Sequence, residues 1–218
     1  AGVIGLIYAI GRRLYGRRVG LLAAAFVALT VSHIQLSHYS SFDTFATFFI
    51  VWTVYGSLRI WQRGHSRDLL LAGAAAGMAV ASKFSAMPVL LAPAVACLAR
   101  AFAVTPPQQA TPAGEGSGRQ AQFRWDSRAL ERAVKPGLAC LAVAILVFAL
   151  TSPFAILDLR RFVLQIGEQG AMVRGIADFP YTRQYRNTPA YIYQIEQELR
   201  WGMGWPLGLA AFAGLAYF

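Results

Sequence analysis

Leu69–Ala103 reads LLLAGAAAGMAVASKFSAMPVLLAPAVACLARAFA, and the way it divides decides the architecture of the chain. As one α-helix these 35 residues would run roughly 50 Å at about 1.5 Å per residue, far more than a hydrocarbon core about 30 Å thick. Two spans joined by a tight turn fit instead. The polar stretch Ser82-Lys83-Phe84-Ser85 marks the turn, and Pro88 falls in the first turn of the returning helix, where its missing N–H is cheap.

Outward from this hairpin, further apolar runs occupy Val19–Val31, Thr44–Leu58 and Gly137–Leu157, with shorter ones at Ala1–Ile10 and Gly208–Phe218. The chain is 56% hydrophobic and 14% charged, with mean hydropathy +0.46, which argues against a water-soluble globule. The fold class expected is all-α, a polytopic transmembrane bundle, with spans near 1–10, 19–36, 44–58, 69–82, 86–103, 137–157 and 205–218. Several runs fall short of about 20 residues and reach it only by admitting Ser32, His33 or Gln35, which suggests a recessed site among polar span ends. Both ends of the sequence fall inside apolar runs, as expected of a piece of a longer polytopic protein. A secretory signal at the start is excluded because Arg12, Arg13, Arg17 and Arg18 follow the apolar stretch instead of preceding it.

Net charge is +10, yet the basic residues lie in the gaps between apolar runs and do not gather on one polar face, so a nucleic-acid partner is not expected. Counting spans puts Gly11–Arg18, Arg59–Asp68 and Arg100–Pro136 on one side, and these hold thirteen of the twenty Lys and Arg. By the positive-inside rule that side is cytoplasmic. Residues 104–136 then form a cytoplasmic linker, rich in Pro, Gly, Gln and Thr at first and charged from Arg119 to Lys135, with a short surface helix expected there. Residues 158–204 form an extracytoplasmic loop in which aromatics alternate with Arg and acids, the composition of an ordered segment over the membrane surface. Cys97 and Cys140, the only cysteines, sit in apolar runs and offer neither a disulfide framework nor a metal-type spacing.

Three constellations carry chemistry, all on the outer side. The first is Ser32–Thr44, whose sharpest residue is Asp43 at the mouth of a span. Such a carboxylate is costly unless solvated, paired or used; it caps the helix, takes a proton from an attacking hydroxyl, or binds a divalent cation. His33 and His38 are five apart, not the three or four that put two ligands on one helical face, so a metal pair is not expected there. His38 and neighbouring Tyr39 are instead candidate contacts for a phosphate or sugar. The second is Lys83, with no acid within ten residues in sequence, either snorkelling to lipid headgroups or acting as a point charge on a substrate phosphate. The third is Asp178–Pro189, where Arg183 and Arg186 flank Tyr185; guanidiniums clamp phosphate oxygens and tyrosines stack on sugars. No Gly-rich phosphate loop, Ser-His-Asp order or HExxH pattern occurs.

The run Gly11-Arg12-Arg13-Leu14-Tyr15-Gly16-Arg17-Arg18-Val19-Gly20, then His33 to Asp43, then Leu71-Ala72-Gly73 to Ser82-Lys83, resembles the membrane domain of GT-C glycosyltransferases. Within these it is most similar to the protein mannosyltransferase and aminoarabinose transferase-like group, glycosyltransferase family 39. Ser152-Pro153-Phe154 to Asp158, and Tyr191 to Gly208 with Trp201-Gly202-Met203-Gly204, resemble that group's later loop and following span. The resemblance implies an integral, multi-pass enzyme of the plasma or bacterial inner membrane. It would move a sugar from a polyprenyl-phosphate carrier to a hydroxyl on a protein, lipid or glycan, with inversion, on the face away from the cytoplasm. It also implies that Asp43 is the acidic residue at the start of the span after the third. The group's other acidic residue would precede Ala1, so the piece by itself is expected to be inactive.

A transporter or flippase for a lipid-linked or anionic substrate is the alternative from another class, since polar span ends and Lys83 would serve it equally. Layout separates the two: transporters place broken helices near the midplane in paired repeats, and this sequence shows no internal repeat.

Overall fold

The structure, a computed structural model, describes residues 1–39, 41–102, 127–176, 179–185, 188–189 and 191–217. Residues 104–126 of the expected linker lie outside the described residues. Every regular element among those described is helical, as the apolar runs require. The chain divides into two compact units: residues 1–28 with 36–151, and residues 29–35 with 152–218.

The first unit opens with α1 (Gly2–Tyr15) and α2 (Arg17–Leu29), joined at Gly16, whose φ of 92° and ψ of 175° are open only to glycine. Gly11 and Gly20 face each other across this corner. A Cβ on Gly11 would lie 2.8 Å from the Gly20 Cα, and one on Gly20 would lie 2.7 Å from the Arg12 backbone nitrogen. The three glycines of the Arg-rich run therefore each have a steric task. α3 (Val31–His38) follows, its first five residues falling in the second unit and its last three in the first.

α4 (Phe42–Gln62) and α5 (Ser66–Ser82) form an antiparallel hairpin clamped at both ends. Asp43 meets Lys83 at one end and Arg59 meets Asp68 at the other. Between them Gly56 lies so close to Ala72 that an added Cβ would approach the Ala72 Cβ to 2.8 Å. Asp43 and Arg59 are sixteen residues apart, about 24 Å along a helix at about 1.5 Å per residue. The two ion pairs are thus spaced by nearly the hydrocarbon thickness of a bilayer. Asp68 is fully buried, and the Arg59 guanidinium reaches its Oδ1 at 2.7 Å without the alignment of a directed hydrogen bond, so charge rather than hydrogen bonding holds it. Breaking such a pair from one side leaves a buried uncompensated carboxylate, at a cost of about 3–5 kcal/mol.

The long apolar stretch breaks at Lys83, which is extended (φ −155°, ψ 114°). Phe84–Leu90 follows as a 3₁₀ segment that holds Pro88, and α6 (Leu91–Phe102) continues from it. α7 (Ser127–Thr151) packs on α5 and α6. It starts ten residues before the expected span at 137 and runs through Pro136, because a proline removes one backbone donor while the flanking turns keep their packing. It also stops six residues short of Leu157: Pro153 drives Ser152 out of the helical region, and the four residues of α8 (Phe154–Leu157) stand as a separate turn.

The interior of this unit is built from small residues. Ala72, Ala75, Ala76 and Ala79 of α5 are buried with Ala46, Ala96, Cys97, Cys140 and Ala144. Large apolar side chains such as Leu70, Leu71, Leu91, Val95, Leu138, Ile145 and Leu150 point outward instead. In water that arrangement would forfeit most of the hydrophobic driving force; in lipid it is the expected one, since helices there associate by close backbone approach between small residues. Phe84–Phe102 and Leu130–Thr151 are each long and apolar enough to cross a membrane, and α2 with α3 forms a third when the bent pair is taken as one.

In the second unit, α9 (Leu159–Val173) starts at Asp158, whose side chain accepts from the Arg161 backbone N–H. It is amphipathic, with Leu159, Val163 and Leu164 exposed beside charged residues, the pattern of a helix lying in the membrane interface. A 3₁₀ segment (Pro180–Tyr185), α10 (Ile192–Gln197), a π-helical turn (Glu198–Gly202) and α11 (Trp205–Tyr217) complete the unit.

The α5–α7 contact is the tightest in the bundle. A Cβ on Gly77 would lie 2.4 Å from the Ala144 carbonyl oxygen, and one on Gly73 would lie 2.5 Å from that of Cys140. Gly77→Leu is expected to cost about 3 kcal/mol or more, read as a fall in thermal unfolding midpoint in detergent, because backbone and not a flexible side chain must move. Gly5→Ala, with open space around it, is expected to leave the midpoint unchanged or slightly raised.

Candidate active site at the mouth of the α4–α5 hairpin

Asp43 stands in the first turn of α4, one residue before the uncharged run that crosses the bundle. The capping role open to it in the sequence is filled by Ser41. Ser41 has extended backbone (φ −60°, ψ 143°), and its hydroxyl oxygen accepts from the Asp43 backbone N–H at 3.2 Å. The same hydroxyl donates to Asp43 Oδ2 at 3.3 Å. With the cap supplied two residues upstream, the Asp43 carboxylate is left at the positive end of the helix dipole and free to reach a partner on another helix.

That partner is Lys83, at the end of α5, whose Nζ donates to Asp43 Oδ1 at 2.5 Å. Forty residues separate the two in sequence, so the hairpin itself supplies the anion that the sequence around Lys83 lacks. The side chains are 36% and 51% exposed, and an ion pair this open contributes at most about 1 kcal/mol to stability. Its weight is electrostatic. The hydrogen bond from the Lys83 ammonium holds the Asp43 carboxyl below the usual carboxylate range; partial burial opposes this, and the Lys83 charge and the Ser41 hydroxyl reinforce it.

Thr44, the next residue in α4, has a buried Oγ1 with no hydrogen-bond partner among the described residues, which is costly enough to need a reason. Composition and spacing gave no means of separating Thr44 from the other hydroxyls of the Ser32–Thr44 cluster.

An apolar cavity includes Phe84, the residue after Lys83. Val80, Phe84, Met87, Leu90, Leu141 and Phe148 line a cavity of about 180 Å³ between α5, the 3₁₀ segment and α7. Leu90 and Leu141 also line a second cavity, of about 360 Å³, which extends along α6 and α7 to Leu98 and Ala133.

The remaining candidates fall elsewhere. His38 and Tyr39 are exposed at the corner between α3 and α4, their rings 5.5 Å apart and nearly perpendicular, with each other as their described contact. Arg183 and Tyr185 belong to the 3₁₀ segment of the second unit; Tyr185 lines a cavity there and Arg183 is exposed. Arg186 lies outside the described residues. Among the described residues no three His, Cys, Asp or Glu side chains come together as a set for a metal ion, and the group facing Asp43 is an ammonium instead of a second carboxylate.

The electrostatics yield a signed expectation. Because Lys83 depresses the folded-state pKa of Asp43, the pair's contribution is present above the unfolded carboxylate value near 3.9 and is lost as pH falls through the folded value. In Lys83→Met the Asp43 carboxyl is expected to titrate at higher pH than in the parent, measured by NMR on the carboxyl-labelled protein in detergent. An unmoved titration would show that the two groups are not coupled.

No curated protein and no solved structure matches the chain. The family model described as dolichyl-phosphate-mannose-protein mannosyltransferase matches residues 2–110, which include the Gly11–Gly20 corner, Asp43, the whole α4–α5 hairpin and Lys83. With half of the sequence matched by that model and an all-helical bundle carrying membrane-length apolar helices, the chain is an integral membrane protein that belongs to the dolichyl-phosphate-mannose-protein mannosyltransferase family of membrane glycosyltransferases.

Proposed function

We propose that the protein transfers a sugar from a polyprenyl-phosphate carrier to an acceptor hydroxyl, with inversion, at the extracytoplasmic mouth of the α4–α5 hairpin. The observation that carries this reading is the direct contact between Asp43 and Lys83, the latter one residue before Phe84, which lines an apolar cavity. A carboxylate, an ammonium and a greasy track are the three things such a donor and its acceptor require.

Each has a chemical task. The polyprenyl tail lies along the groove between the 3₁₀–α6 segment and α7, and the donor phosphate meets the Lys83 ammonium at its head. Asp43 takes the proton from the acceptor hydroxyl as its oxygen attacks the anomeric carbon. The bond from that carbon to the phosphate oxygen breaks, and the departing polyprenyl phosphate carries off the electron pair with added negative charge that Lys83 stabilises. A single displacement of this kind inverts the anomeric centre. A substrate hydroxyl is the partner this reading gives to Thr44 Oγ1, which is buried and unpaired among the described residues.

The pairing of base and cation before donor arrives has a consequence. A carboxylate held by an ammonium is a weak base, because its charge is already half spent. Donor phosphate competes for Lys83, frees Asp43 from it and raises the carboxyl's pKa, so Asp43 becomes an effective base only when there is a sugar to transfer. Outward orientation is supported by the distribution of Lys and Arg, thirteen of which fall on the side opposite to Asp43 by the count of spans.

In the full-length protein Asp43→Asn is expected to lower transfer from a polyprenyl-phosphate sugar by about 10²–10⁴-fold while expression and fold are kept. Lys83→Met is expected to raise the KM for that donor and to lower kcat, with the acceptor KM little changed. Transfer at the parental rate by Asp43→Asn would remove Asp43 from the chemistry and the reading with it.

A further inference from the structure

The second unit holds a cavity that the reaction above does not use. It has a volume of about 590 Å³, in the range of small-ligand sites, and lies where the C-terminus of α9 meets the Pro180–Tyr185 segment and α10. Its polar lining is Arg174, Thr182, Tyr185 and Gln194, with Met172 and Gly175 as part of its wall. From these residues we propose that it binds a saccharide bearing a carboxylate or phosphate group.

The first support is rigidity. α9 ends in a paired closure, with the Gly175 N–H donating to the Met172 carbonyl at 3.0 Å and the Ile176 N–H donating to that of Ala171 at 2.9 Å, while Gly175 takes φ 71°. Met172 is held in turn by the Tyr181 hydroxyl, 3.0 Å from its Sδ, and Tyr181 stacks on Phe179. Arg174 sits at this closed end. Its Nε donates to the Gly170 carbonyl at 3.0 Å, which fixes the guanidinium, and among the described residues both terminal nitrogens are unspent. Among the described residues Arg174 makes no ion pair, whereas Arg200 of the same unit is paired with Glu196 at 2.8 Å. A fixed guanidinium with two open NH₂ groups matches the two oxygens of a carboxylate or phosphate.

The second support is the aromatic and hydroxyl chemistry around that cation. The Tyr185 ring is braced edge-on by Tyr193 at 5.7 Å and 84°, so it offers a rigid surface of the kind on which the C–H face of a hexose rests. Thr182 Oγ1 donates to the Phe179 carbonyl at 2.8 Å and keeps its lone pairs for a sugar hydroxyl, and the Gln194 amide can both donate and accept. The third support is strain. Tyr191, immediately before α10, has φ 65°, the only positive φ at a non-glycine residue among those described. The cost of that conformation, of order 1–3 kcal/mol, goes into setting the entry of the short helix that brings Gln194 to the cavity and Tyr193 to the ring of Tyr185.

The test is equilibrium binding to the full-length protein in detergent, by ligand-observed NMR, with mannose 6-phosphate, glucuronate, mannose and inorganic phosphate as probes. Mannose 6-phosphate and glucuronate are expected to bind and to compete with each other, with mannose and inorganic phosphate each at least about 10-fold weaker. Arg174→Met is expected to lose about 10-fold for the charged sugars only, Arg174→Lys to lose less because it keeps a cation at the helix end, and Tyr185→Ala to weaken all three sugars. Inorganic phosphate binding as tightly as mannose 6-phosphate, no binding of either charged sugar, or unchanged binding in Arg174→Met and Tyr185→Ala would each overturn the proposal. Because the readout is binding and not turnover, failure of transfer chemistry at Asp43 leaves this test standing on its own.

Discussion

The hairpin of α4 and α5 is fixed by charges at both of its ends, and what the first unit can do depends on that constraint. Along the span the packing is between Gly56 and Ala72 and between other small residues, contacts that could slip by a turn at little cost in a lipid solvent. The ion pairs cannot slip. A register error would leave Asp68 buried without Arg59 and would part Asp43 from Lys83. The inner pair does the structural part, because its carboxylate is fully buried. The Asp43–Lys83 pair, the outer of the two by exposure, is open to solvent and stabilises little, so the exchange of partners proposed for it would cost little.

A second constraint is the inversion of side-chain size. α5 presents Ala and Gly to its neighbours and sends leucines outward, so its backbone comes within contact of the α7 carbonyls of Cys140 and Ala144. This closeness sets the floor of the apolar groove that starts at Phe84, since Gly77 and Ala144 both line its first cavity. The same small residues that hold the bundle together thus shape the track assigned to the carrier.

How much of this was legible in the sequence differs from residue to residue. The all-helical membrane class was legible because apolar runs of span length leave no other way to satisfy the backbone. The break at Lys83 was legible because a 35-residue, largely apolar stretch cannot be one crossing and its central polar residues are clustered at Ser82, Lys83 and Ser85. The partner of Lys83 was not: its carboxylate is forty residues away, and only the hairpin brings it near. Nor could the sequence decide whether Ser41 or Asp43 caps α4, as both are good capping residues two positions apart. Pro136 and Pro153 show that one residue type can act in two ways, the first carried inside α7 by packing on both sides, the second ending it. In the second unit the Arg183–Arg186 spacing is the conspicuous feature of the sequence, whereas Arg174, which lines the cavity, is marked only by the helix-ending Gly175 just after it.

Exchange of partners at the outer pair is the claim on which the account of catalysis stands. The direct measurement is the titration of Asp43 in the full-length, carboxyl-labelled protein, without and with saturating polyprenyl phosphate. The account requires the Asp43 pKa to lie below the ordinary value near 3.9 in the bare protein and to rise when the lipid phosphate takes Lys83. A pKa that stays where it is, with the lipid shown to be bound, would mean that Lys83 does not change partners and that Asp43 is not gated by the donor.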